Sequence, residues 1–169
     1  MKTKISEIQE LLGKARYYHN IMYEEDKAIE LCNKAIELCN KAIELCNKAL
    51  KIEPENKDAM LIKAGSLDCL GKEKEAYELI QKIIEKWPAN WEAYYLMGML
   101  LFNTNEKMAI ENINKSIKLN NNFNNVIAAA QLLYFLEEKK YNEYLKEAKR
   151  LAPKRFEKYM EDYWEWEII

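Results

Sequence analysis

Apolar residues recur three and four positions apart along nearly the whole chain, with polar residues between them. That is the pattern of helices that bury one face. Ile5, Ile8, Leu11, Leu12, Ala15 and Tyr18 carry it over residues 4–22. The same spacing predicts helices over 57–70, 73–86, 92–102, 107–119, 126–136 and 140–151, and a last one from 154 to about 167. The punctuation fits. Gly71 stands in a C-cap position, Trp87-Pro88 ends a helix, Asn103-Thr104-Asn105 turns the chain, and Pro153 closes the penultimate helix. Asn120 to Asn125 reads as a polar loop. With 4 Gly and 3 Pro there is little turn chemistry for a β fold, so the expected class is all-α.

One stretch departs from ordinary helix length. Lys-Ala-Ile-Glu-Leu-Cys-Asn is written without change at 27–33, 34–40 and 41–47, and Lys48-Ala49-Leu50 begins a further copy. Strong helix formers fill it, Asp26 is an acceptable N-cap, and Pro54 is the stop signal. The prediction is one continuous helix of about 25–28 residues, about 40 Å long at about 1.5 Å per residue, more than twice the usual length.

A longer period lies beneath the helical one. Ala76, Ile80 and Pro88 find counterparts in Ala42, Cys46 and Pro54, in Ala109, Ile113 and Asn121, and in Tyr141, Leu145 and Pro153. A small residue precedes each set in the helix before: Ala15, Ala64, Gly98 and Ala129. Pro54 and Pro88 are 34 residues apart. A helix-turn-helix unit of that period resembles the tetratricopeptide repeat. Tyr94, Met97, Gly98 and Leu101 match the first-helix motif of that family, and Met60, Lys63, Ala64 and Leu67 match it more loosely. The family's Trp is absent, Asn121 stands for a closing Pro, and Tyr141 stands for a small residue. The resemblance implies a single domain over 1–169, a right-handed α-α superhelix of about four repeats. These are approximately 5–56 with the added heptads, 57–90, 91–121 and 122–155, with a capping helix over 154–167. Removing any fourteen residues of the triplet restores a second helix of ordinary family length, so the first repeat carries two extra heptads. A recent duplication and a deliberate insertion would both leave this mark.

Seven residues advance a helix by about 10.5 Å and turn its face by only about 20°. The apolar stripe of Ala, Ile, Leu and Cys therefore stays nearly continuous, and a partner helix over 4–22 is too short to cover it. An uncovered apolar band of this kind finds a partner. The favoured outcome is a continuous helix that self-associates as a dimer through Ile29, Cys32, Ile36, Cys39, Ile43 and Cys46. The others are a looped-out insert, or a first helix that docks on any of three nearly equal registers.

Composition narrows the chemistry. Apolar residues are 49% and charged residues 32%, with a net charge of −2, so no overall basic character points to nucleic acid or an anionic membrane. The longest apolar run, Leu96 to Phe102, cannot span a bilayer, and the N-terminus lacks a signal-peptide core, so a cytoplasmic protein is expected. Cys32, Cys39 and Cys46 lie about 10 Å apart along the helix, too far to bridge one another, and no close pair has zinc spacing. They read as small core residues, or as partners for intermolecular disulfides. His19 is the only histidine, no glycine-rich loop exists, and the carboxylates fall in mixed Glu/Lys patterns. No catalytic, cofactor or metal site is expected, and the chain is read as a non-enzyme.

Arrays of helix pairs make curved surfaces that bind peptides or helices of other proteins. The resemblance puts the first helix of each repeat on the concave face. That face then offers Leu61, Gly65 and Asp68, followed by Tyr95, Met99 and Phe102, of which Leu61, Tyr95, Met99 and Phe102 are the candidate peptide contacts. The Lys and Asn set of the family's chaperone adaptors is missing, so that specificity does not transfer. Phe156, Tyr159, Met160 and Tyr163 are spaced to cap the array, with Trp164 and Trp166 beyond. Two readings follow: an interaction scaffold with a protein or peptide ligand, and a structural protein that self-assembles through its duplicated heptads.

Overall fold

The computed structural model describes residues 25–135 and 140–163, and every regular element among them is a helix. The eight helices are α1 (Glu25–Ile52), α2 (Lys57–Cys69), α3 (Glu73–Lys86), α4 (Trp91–Leu101), α5 (Glu106–Leu119), α6 (Phe123–Phe135), α7 (Tyr141–Leu151) and α8 (Pro153–Tyr163). They fall into two compact units dividing between Lys86 and Trp87. The expected helix over 4–22, with His19, lies outside the described residues, as do Trp164 and Trp166.

In the first unit α1 is a single unbroken helix of 28 residues, so the triplet is helical throughout. Its buried seam is made of the small residues: Ala35, Cys39, Ala42 and Cys46 are all at most 5% exposed. Their spacing of four and three residues is a heptad seam, which lets another helix backbone approach closely. The larger side chains flank the seam, with Leu38 and Ile43 half-buried and Ile36 and Leu45 exposed. On the exposed side Lys34 pairs with Glu30 and Lys48 with Glu44, each four residues apart.

Helix α2 packs against α1 and α3 against α2. The side-chain oxygen of Asn56 accepts the Ala59 N–H at 2.9 Å and caps α2. At its other end the Lys72 N–H reaches the Leu67 carbonyl and the Gly71 N–H the Asp68 carbonyl, both at 2.9 Å. This double closure needs a left-handed residue, and Gly71 supplies it at φ +69°. Lys86 forms an ion pair with Glu55, tying the end of α3 to the α1–α2 turn.

In the second unit α4 pairs with α5, α6 with α5 and α7, and α8 with α7. Asn90 caps α4 through the Ala93 N–H at 2.7 Å, and Asn105 caps α5 through the Met108 N–H at 3.1 Å. Gly98 is where α4 and α5 touch most closely. A Cβ placed there would lie 2.6 Å from Ile113 Cγ1 and 3.0 Å from the Ala109 carbonyl oxygen. The buried Ser116 hydroxyl donates to the Trp91 carbonyl at 2.9 Å, a second tie between the same helices.

The repeat positions read from the sequence are the core. Ala64, Ala76 and Ala109 are 0% exposed, Ala42 2%, and Ala129 4%. Cys46, Ile80 and Ile113 are buried as well, while Leu145 is half-buried. One boundary differs: α6 begins at Phe123, inside the expected Asn120–Asn125 loop. Asn122 caps it by accepting the Asn125 N–H at 3.1 Å, and the buried Asn125 side chain donates to the Asn120 carbonyl at 2.8 Å. The asparagines thus build a helix start, and Asn121 reaches across to Glu147 on α7 at 2.8 Å.

Candidate interaction surfaces

Helix α4 has two faces of different character. Ala93, Tyr94, Leu96, Met97, Gly98 and Leu100 are buried. Tyr95, Met99 and Phe102 follow one another at four and three residues, share the opposite stripe, and are half-buried. They pack against the cluster of Ile113, Ala128 and Ala129, joined by Ile117 and Tyr144. Their inner edges thus support α6 and their outer edges meet solvent. Three of the four candidate peptide contacts are brought onto one face of α4. Leu61, only 4% exposed in α2, belongs to the core of the other unit.

Behind this face the Tyr144 hydroxyl donates to Asn114 Oδ1 at 2.8 Å, joining α7 to α5. Burial pushes the Tyr144 phenol above its ordinary value, with Glu143 adding to the shift. Lys115 sits over the Tyr94 ring at 4.2 Å. A small cavity of about 10 Å³ lined by Ile110, Asn114, Leu133 and Tyr144 lies nearby, no larger than a single water.

Helix α8 closes the end of this unit. Phe156 and Tyr159 pack on the cluster of Phe123, Val126, Ile127 and Ala148. The Phe123 and Tyr159 rings meet edge-on at 6.2 Å, and the Tyr159 hydroxyl accepts from Gln131 at 2.7 Å. Arg155 lies 4.5 Å above the Phe123 ring and donates to Asn124 at 2.7 Å. This is the capping expected from the spacing of Phe156 and Tyr159.

The second candidate surface is α1. Ile29 is 57% exposed and Ile36 43%, one heptad apart. Cys32 and Ile43 are half-buried, and Cys39 and Cys46 lie in the seam. The six residues are therefore divided between the open flank of the helix and its covered side. Sequence reasoning did not single out Cys69, the last residue of α2, whose thiol meets that of Cys39 in a hydrogen bond. Counting from the turn could have found it, since Cys39 and Cys69 each lie fifteen residues from Pro54.

Among the described residues no group of three or more His, Cys, Asp or Glu could hold a metal ion. No described helix is long and apolar enough to cross a membrane.

Antiparallel helix pairs that meet at Ala or Gly and close with a capping helix define the tetratricopeptide-repeat fold, and solved structures bear this out. TTC0263, a thermophilic TPR protein of Thermus thermophilus, superposes with a TM-score of 0.68 at 13% identity, over 92% of this chain and 96% of that one. YrrB, a TPR protein, gives 0.56 at 20% identity over 90% and 93%. A MamA from Desulfovibrio magneticus gives 0.58 at 16% identity over 91% and 98%. No protein-family model and no curated protein matches the chain.

Proposed function

We propose that the chain is a non-enzymatic interaction scaffold that binds peptide or helical segments of another protein in the cytoplasm, working as one repeat domain. The observation that carries this reading is the half-covered stripe of Tyr95, Met99 and Phe102 on a helix whose other face is fully buried. Aromatic and thioether groups held in place by packing are the side chains that anchor apolar ligand segments. The likeness to YrrB, described as having an unusual peptide-binding site, supports it. Four free cysteines fit a reducing compartment.

The test is selection from a displayed library of random peptides, followed by affinity measurement on the wild type, Tyr95→Ala and Phe102→Ala. Loss of affinity by about tenfold or more in each variant, with helical content unchanged, is expected for anchoring residues. Peptides that bind all three proteins equally would refute the site.

A second reading rests on the exposed Ile29 and Ile36. Self-association through α1 would use this flank, because Cys39 and Cys46 are already covered within the chain. Light scattering under reducing conditions tests it: a dimer that becomes a monomer on deletion of 34–47 supports the reading. A monomer in both removes it.

A further inference from the structure

Two thiols meet where α1 runs past the end of α2. Cys39 lies in the heptad seam with no exposed surface, and Cys69, the last residue of α2, is half-exposed. The Cys39 S–H donates a hydrogen bond to the Cys69 sulfur. That bond holds the Cys69 thiol below its ordinary value, against the opposing effects of burial and of Asp68. The Cys39 thiol is pushed up, by the same bond first and by burial second. The accessible sulfur is thus also the more acidic one, the arrangement of an attacking thiol beside a resolving thiol.

We propose that Cys39 and Cys69 form a reversible disulfide, a redox staple between α1 and α2, with a low-molecular-weight disulfide such as oxidised glutathione as the oxidant. The Cys69 thiolate attacks one sulfur of the oxidant, forming a mixed disulfide and releasing one glutathione thiolate, which takes up the Cys69 proton. The Cys39 sulfur then attacks the Cys69 sulfur and expels the second glutathione thiolate, to which the Cys39 proton passes. Two protein thiols are oxidised to one disulfide and one external disulfide is reduced to two thiols. Excess reduced glutathione runs the exchange backwards.

The geometry makes the pairing selective. Cys32 and Cys46 stand one heptad to either side of Cys39, about 10 Å away along the axis, beyond the reach of a disulfide to a sulfur level with Cys39. It also gives the staple a task that follows from the identical copies. A slide of α2 along α1 by one copy replaces Ala35, Cys39 and Ala42 by residues of the same kind, so local contacts alone separate these registers weakly. A covalent bond at Cys39 fixes one of them.

The test uses the full chain, treated with oxidised glutathione in native buffer, then quenched and alkylated. Free thiols are counted by intact mass, and chain number is read on a non-reducing gel. Tryptic mapping is of no use, since the peptides 28–34, 35–41 and 42–48 have one sequence. Alanine variants replace it, because alanine already occupies the seam at 35 and 42. Wild type, Cys32→Ala and Cys46→Ala are expected to lose two thiols as monomers. Cys39→Ala and Cys69→Ala are expected to lose none. A Cys32→Ala/Cys46→Ala double variant keeps Cys39 and Cys69 alone and must still close within one chain, so the test does not depend on Cys39→Ala folding. The proposal is overturned by closure in Cys39→Ala, by cross-linked dimers in place of closed monomers, or by a native chain that stays reduced where the urea-unfolded chain oxidises.

Discussion

Replacing Gly98 by alanine sets two known effects against each other. A glycine inside a helix is about 1 kcal/mol worse than alanine, so on propensity alone the change stabilises α4. The added Cβ, however, would sit 2.6 Å from Ile113 Cγ1 and 2.7 Å from its Cδ1. That is about 1 Å inside the optimum for two carbons. Ile113 is 1% exposed and Ala109, whose carbonyl oxygen lies 3.0 Å away, is 0% exposed, so neither has free space to enter. Overpacking of this kind costs about 1–3 kcal/mol, which outweighs propensity and leaves a net loss of about 1 kcal/mol. For a chain of this size that lowers Tm by about 2–4 °C in thermal unfolding followed by circular dichroism. The sharper measurement repeats the change in an Ile113→Ala background. That truncation costs about 2–5 kcal/mol alone and removes both offending carbons. Gly98→Ala then refills space and gains helix propensity, so its sign reverses to a stabilisation of just under about 1 kcal/mol, the Ala109 oxygen still being close. Equal stabilisation by Gly98→Ala in both backgrounds would falsify the claim that close approach of α4 and α5 holds this position at glycine.

Asn90→Ala removes the cap of α4 and leaves the Ala93 N–H without its acceptor, so urea unfolding should show a loss of about 1 kcal/mol. The Glu147 carboxyl is held down to about 2, chiefly by hydrogen bonds from Arg150 and Asn121. A depressed carboxyl contributes stability above its unfolded value near 4.5 and loses it as pH falls through about 2. Glu147→Gln should therefore flatten the acid side of the pH–stability curve in that window, and an unchanged slope would show the contact to be idle. The exposure of this pair keeps the expected effect small.

The helices, their small-residue contacts and the capping role of Phe156 and Tyr159 were legible because each depends on spacing along one element. Ala42, Ala76, Ala109 and Gly98 could be named from a period and then found in the core. What spacing could not decide was which apolar residues of a rich heptad turn inward. Four of seven positions are apolar, and the close approach of helices selected Ala and Cys over Ile and Leu. Leu61 illustrates the same limit, since a motif places a residue on a helix but its burial depends on what the neighbouring helix covers. The start of α6 was hidden by its asparagines, whose polarity suggests a loop until Asn122 is recognised as a cap and Asn125 as a buried tie. Cys69 was missed because its partner lies across a turn rather than along a helix.

The contact between Cys39 and Cys69 also has an arithmetic of copy number. The position level with Cys69 is thirteen residues before the end of α1. With three copies of the heptad it is Cys39, from the middle copy. Take one copy away and Cys32 moves into the same place, so the facing sulfurs are unchanged. Take two away and Glu25 arrives there, leaving Cys69 opposite a carboxylate position. A thiol therefore faces α2 only from the second copy onward. Duplication of this segment did more than lengthen a helix: its first recurrence brought in a chemical group that a single-copy chain has no residue to supply, and any later recurrence added reach alone.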